Sequence, residues 1–256
     1  MYKNPVKCIF KIIKMVAYIG ITVVVMSYFT YYHGYHVFRL FEPKIYTINE
    51  TISSTESNIE SESVTKVTDG ISEIYNTFPK AFQKRLKSWT ILFVSVSDSN
   101  AARSGYSAEA ITGYTMHYTH TVTLINKPKS TKEDYAATYA HEMGHVFAIE
   151  NGYIDVSTQF TDLYTKHKDV YEPFNERVDC VYIMADSSEF FAEVFAAYYL
   201  YQTDLRQQYP ELYTYMAGTI DNFKKESSFG YRIKTSVVGE FRNIAHRIEL
   251  KKQMKA

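Results

Sequence analysis

Residues 189–199 read Glu-Phe-Phe-Ala-Glu-Val-Phe-Ala-Ala-Tyr-Tyr, and this segment limits the possible folds more than any other. Asp186-Ser187-Ser188 ahead of it resembles a helix start. A helix this apolar on every side is buried in the centre of a domain. It nonetheless carries Glu189 and Glu193, which share one face at i and i+4. Two carboxylates on a buried face are costly unless something pairs with them. The chain is therefore expected to bring a metal and its ligand histidines to that face. In the alternative, Glu189 closes a capping box on its own helix and Glu193 turns to solvent.

A second helix offers the partner. Ser130-Thr131-Lys132-Glu133 fits a capping box, and the run from there to Ile149 holds no Pro and no Gly except Gly144. On it sits His141-Glu142-Met143-Gly144-His145. Both imidazoles can address one metal ion, while Glu142 can reach water at that ion. A catalytic zinc takes three protein ligands and keeps its fourth position for water. His141, His145 and Glu189 make up that set. Glu193 is expected one layer out, accepting the free N–H of a ligating histidine. The competing reading is two surface histidines on a polar helix face. Cys8 and Cys180 are the only cysteines, so neither a thiolate metal cluster nor a disulfide framework is expected.

The formal net charge is zero and no long basic run interrupts the central region, which leaves a nucleic-acid groove without electrostatic support. The 24 tyrosines are spread along the chain, so most read as packing or membrane-interface residues and none stands out by type alone.

The N-terminus carries Lys3, Lys7, Lys11 and Lys14 ahead of an uncharged stretch, Met15–Tyr32, whose 18 residues are just long enough to span a hydrocarbon core of ~30 Å. The stretch ends on bulky residues rather than an A-x-A-like site, which favours an uncleaved signal anchor over a cleaved peptide. The lysines (1–14) then stay cytoplasmic and the rest lies outside the cell, held to the membrane or secreted if cleavage occurs. Residues 33–69 are expected as a linker, Ser/Thr/Glu-rich over 50–69. A domain follows over 70–226, opening on a helix near residue 70 that Pro79 breaks or kinks. Strands are expected at 90–97, 113–118 and 121–125, forming a small mixed sheet. Trp89 is expected in the core beside the first of these, with a substrate subsite as its other possible place. Residues 155–178 bridge the two metal motifs, and Asp204–Lys225 reads as another packing helix. In the basic tail, 227–256, Val238, Phe241, Ile244, Ala245 and Ile248 keep helical spacing, suited to a surface or membrane or to packing on the domain.

His141-Glu-Met-Gly-His145 followed by Glu189-Phe-Phe-Ala-Glu193 resembles the catalytic domain of anthrax lethal factor and its relatives, including the secreted Pro-Pro endopeptidases. The resemblance covers roughly 70–226. It implies an α+β, zincin-like metallopeptidase domain with active-site helices, here preceded by a transmembrane helix. It also implies one zinc on His141, His145 and Glu189. The family carries a tyrosine seven residues before that glutamate, here Tyr182, whose phenol faces the scissile carbonyl and donates to the developing oxyanion. Exported members favour proline around the cleaved bond, but no motif in this chain fixes that preference.

The expected function is zinc-dependent hydrolysis of extracellular proteins, with Glu142 as the base and an extended substrate added to a strand edge within 113–125. The alternative is a membrane-anchored metal-binding or interaction protein that does not cleave. Glu142 argues against it, because a non-catalytic site needs no base there.

Overall fold

The computed structural model describes residues 52–54, 61–96, 111–117, 119–175, 180–225 and 229–253, all within one unit, Tyr46–Ala256. The expected anchor at 15–32 and the basic segment before it lie outside them. Among the described residues no helix is long and apolar enough to cross a membrane.

Four strands form one mixed sheet: β1 (Ile52–Ser54), β2 (Thr90–Ser95), β3 (Gly113–Met116) and β4 (Thr121–Asn126), in the order β1-β2-β4-β3. β1, β2 and β4 run parallel, with Thr90 opposite Thr121 and Ser95 opposite Asn126. β3 runs antiparallel to β4, with Tyr114 opposite Thr123, and forms one edge. Val122, Thr123, Leu124 and Ile125 of β4 are all buried, so this strand is covered on both faces.

The first helix, α1 (Ser61–Thr77), begins well before residue 70, inside the expected linker. Its Ser/Thr/Glu composition conceals a core-facing row: Val67, Ile71 and Ile74 recur at helical spacing and are buried. Pro79 separates α1 from α2 (Lys80–Leu86), a break rather than a kink. The chain passes through Trp89 into the sheet and returns in α3 (Lys132–Glu150). That helix starts on Thr131, not Ser130. The Thr131 hydroxyl accepts from Asp134 N–H and the Asp134 carboxylate accepts from Thr131 N–H, so the box closes on Asp134 rather than Glu133.

After a single 3-10 turn (Ile154–Val156) come α4 (Thr158–His167), α5 (Cys180–Ile183), α6 (Ser187–Leu200), α7 (Gln202–Gln208), α8 (Pro210–Lys225) and α9 (Phe229–Gln253). The helix expected over 204–225 is thus two, divided at Tyr209-Pro210. Proline lacks the N–H that a continuing helix needs and suits the first turn of the next one.

α6 occupies the centre, with Phe190, Phe191, Ala192, Val194 and Phe195 fully buried. Phe195 packs on Phe147 of α3 at 5.1 Å between ring centres, and Phe82 and Phe223 close around the pair. α9, the tail helix, packs on the domain: Arg242 donates to Gly152 O at 3.0 Å. Val238, Phe241, Ile244 and Ile248 remain on its exposed face.

Candidate metal centre

α3 and α6 cross backbone against backbone. A Cβ built on Gly144 would lie 2.6 Å from Ala192 Cα, closer than any side chain tolerates. Glycine within a helix costs about 1 kcal/mol relative to alanine, yet here only glycine permits the approach. The approach brings the histidines of one helix against the carboxylates of the other.

Glu189 sits in the first turn of α6, whose cap is Asp186: its carboxylate accepts from Ser188 N–H at 2.7 Å and Glu189 N–H at 3.0 Å. Because Asp186 caps the helix, the Glu189 side chain is free for other partners. Its Oε2 lies 3.2 Å from His141 Nε2 and 3.4 Å from His145 Nε2. One ligand atom from each of the three residues falls within 4.8 Å of the others. Donors ~2.0–2.1 Å from a shared tetrahedral zinc stand about 3.4 Å apart, so the two imidazoles and the carboxylate suit that ion in type and spacing.

Glu193 points to the other side of the same ring, its Oε2 3.7 Å from His141 Nδ1. This is an ion-pair distance rather than a formed hydrogen bond, on the side where an outer partner was expected. The Tyr182 hydroxyl donates to Glu189 Oε1 at 3.0 Å, which brings the tyrosine singled out by resemblance to the rim of the site. Glu142 is buried. Its Oε2 accepts from the Thr115 hydroxyl at 2.7 Å, and a Cβ on Gly113 would come within 3.0 Å of its Oε1. The edge strand β3 thus lies directly over the candidate base, and Gly113 leaves room for its carboxylate.

The charges follow from this geometry. Burial opposes a charge on His141, but the Glu189 and Glu193 carboxylates prevail and push its pKa up to about 10. His145 is also raised, burial again being outweighed, here by Glu189. Burial would raise Glu189, but the two histidines hold it far below the usual carboxylate range. Glu142 moves the other way: burial raises it, and the histidines and Thr115 only partly offset the rise. The two acids therefore differ in character: Glu189 is held ionised by the histidines, and Glu142 is raised above the ordinary carboxylate value by burial.

Two further residues join the site without a signal in the sequence. Thr115 is one of several threonines in alternating strand positions. Asp155, on the 3-10 turn, is buried and accepts from the Ser188 hydroxyl at 2.6 Å. Both reach the site by long-range contact, which no local spacing encodes. Trp89 does not line the cleft; it is a core residue whose Nε1 donates to Glu150.

Against solved structures, the chain is similar to the Pro-Pro endopeptidase PPEP-2 from Paenibacillus alvei, with a TM-score of 0.50 over 67% of this chain and 98% of that one, at 14% identity. The two share a fold. No family model matches the chain, and no curated protein matches it in sequence. At this identity the likeness shows the fold alone, and the chemistry rests on the side chains described above.

Proposed function

We propose that this chain is a zinc-dependent endopeptidase, with zinc held by His141, His145 and Glu189 and with Glu142 as the base. The reading rests above all on one observation: two imidazoles and a carboxylate, from separate buried helices, converge within 4.8 Å beside a buried glutamate of raised pKa. The similarity in fold to a Pro-Pro endopeptidase supports it.

When bound, zinc supplies Lewis acidity towards a peptide carbonyl and lowers the pKa of water towards ~7. The chain's own residues do the rest. Glu142 takes the proton of the attacking water on its carboxylate and delivers it to the leaving amine, while Thr115 keeps one of its oxygens fixed. Tyr182 turns its hydroxyl from Glu189 to the carbonyl oxygen and donates to it as negative charge develops. An extended peptide adds alongside β3, whose edge lies over Glu142, so strand pairing and the base share one landmark. The substrates are extracellular proteins, met from a membrane to which the segment 15–32 anchors the enzyme. Proline beside the cleaved bond is the preference to test first.

The deciding experiment combines metal analysis with a peptide-library cleavage profile of wild type and Glu142→Ala. One zinc per chain, with turnover lost in Glu142→Ala while the zinc stays, supports the reading. Folded wild-type protein that binds well short of one equivalent, or that cleaves nothing in the library, sinks it.

A further inference from the structure

The two histidines use their ring nitrogens differently. His141 directs Nε2 to Glu189 and Nδ1 towards Glu193, so carboxylates stand on both sides of its ring. His145 directs Nε2 to the same Glu189 oxygen, and its Nδ1 therefore points away from Glu189. A ligating histidine needs a second partner for its remaining N–H, because that bond selects the tautomer and fixes the ring plane.

Asp155 has the matching need. It is only 6% exposed, and the 3-10 turn that carries it packs against both α3 and α6, the helices that supply the donors. One oxygen, Oδ2, accepts from Ser188, the neighbour of Glu189. The other, Oδ1, is buried with no hydrogen-bond partner. A buried carboxylate with an unfilled oxygen is costly and calls for a donor, preferably a charged one. The backbone is also bent to put Asp155 there: after α3, Tyr153 takes a left-handed conformation, φ 53°, unusual for a bulky residue, and its N–H returns to Ala148 O at 2.8 Å. Burial raises the Asp155 pKa, and the charge of His145 is among the influences that pull it back.

We infer that Asp155 is the positioning residue of His145: Oδ1 accepts the Nδ1–H and so holds Nε2 ready for the metal, while Glu193 stands at ion-pair distance beside the Nδ1 of His141. The inference rests on the proposed ligand role of His145 and adds to it a residue outside both metal motifs. Ser188 completes the chain of contacts, since its hydroxyl locks the Asp155 carboxylate while its backbone N–H helps form the start of α6.

The test uses the full chain and three variants, Asp155→Ala, Asp155→Asn and Ser188→Ala. Zinc affinity is measured by chelator competition, and each metal-free form is melted in parallel. Asp155→Ala is expected to weaken zinc binding about 10–100-fold. Asp155→Asn, which keeps an acceptor but loses the charge, falls between it and wild type. The metal-free melting temperature should stay level or rise, since a buried carboxylate with one unfilled oxygen has been removed. In zinc-loaded protein with 15N-labelled histidine, a downfield Nδ1–H resonance of His145 should vanish in Asp155→Ala and survive in Ser188→Ala. If Asp155→Ala fails to fold, Asp155→Asn and the resonance carry the test. Zinc affinity equal to wild type in the aspartate variants, or a loss that merely follows a loss of metal-free stability, overturns the inference and leaves the proposed function standing. Wild-type protein that folds and binds no zinc overturns both.

Discussion

Glu142 and Glu150 lie two turns apart on α3, and both are buried. They meet that burial in different ways. Glu150 is tied at each oxygen: Trp89 Nε1 donates to Oε1 at 2.9 Å, and Arg85 stands 3.4 Å from Oε2. Its partners are a fixed donor and a permanent cation, so its carboxylate is held in place from both sides. The oxygen of Glu142 that is held fast has a neutral hydroxyl as its partner, Thr115, on an edge strand. The nearby positive charge comes from histidines, which lose it when they ligate a metal. Burial is common to both glutamates, and what separates a structural carboxylate from a candidate base is whether its partners can release it.

The sharpest way to break this comparison is to neutralise each acid in turn. Glu142→Gln is expected to lower peptide turnover by about 10²–10⁴-fold with zinc content unchanged, while Glu150→Gln leaves turnover near wild type. Equal kinetic losses in the two variants would erase the distinction. In the opposite direction, Glu150→Ala leaves the buried Trp89 donor without this acceptor and removes one partner of Arg85, and should cost about 1–3 kcal/mol in denaturant unfolding without altering zinc binding per folded molecule. Glu142→Ala should cost less stability, since burial already opposes its charge and its hydrogen-bond partner is a neutral hydroxyl on an edge strand.

A smaller effect is expected at Thr115, whose hydroxyl donates to one oxygen of Glu142. Thr115→Val removes a charge-assisted hydrogen bond and should lower turnover about tenfold. Thr115 pulls the Glu142 pKa down, so its loss moves the acid limb of the pH–rate profile to higher pH. An unmoved limb would mean that Thr115 serves only as a strand residue.

The gentlest test is the pH dependence of stability. The folded His141 pKa is raised from 6.5 to about 10, so its ion pairs stabilise the metal-free protein fully below pH 6.5. That contribution is lost as pH rises towards 10. Zinc reverses the trend, because ligation requires deprotonated histidines and strengthens with pH. Melting curves from pH 6.5 to 9, with and without a fixed concentration of free zinc, should therefore slope in opposite directions. Parallel slopes would separate the histidines from the metal.

What the sequence discloses about this molecule follows the range of the interactions. The four side chains of the candidate centre lie at i and i+4 on two helices, and a helix places such residues on one face whatever surrounds it, so the pairing of His141 with His145 and of Glu189 with Glu193 is readable from spacing alone. Residues 113–118 and 121–125 alternate enough to suggest strands, but not that β3 lies over Glu142; that depends on a pairing register and a helix packed across it. Asp155 is hidden for the same reason, since its partner is thirty-three residues away on another helix. The start of α1 is obscured differently. Its polar face dominates the composition of 61–69, while Val64 and Val67 are too few to outweigh it.

The contact between Gly144 and Ala192 has a consequence for how such chains are recognised. The metal motif is written His-Glu-x-x-His, with position 144 free to vary, yet in this fold the second x is the gauge that sets the distance between two helices. A relative could retain every metal-binding letter and, with a larger residue at that one place, hold its histidines and its glutamate too far apart to share an ion. Positions 144 and 192 are therefore expected to vary together across such relatives, and a search keyed to the ligands alone would accept chains that the fold itself would refuse.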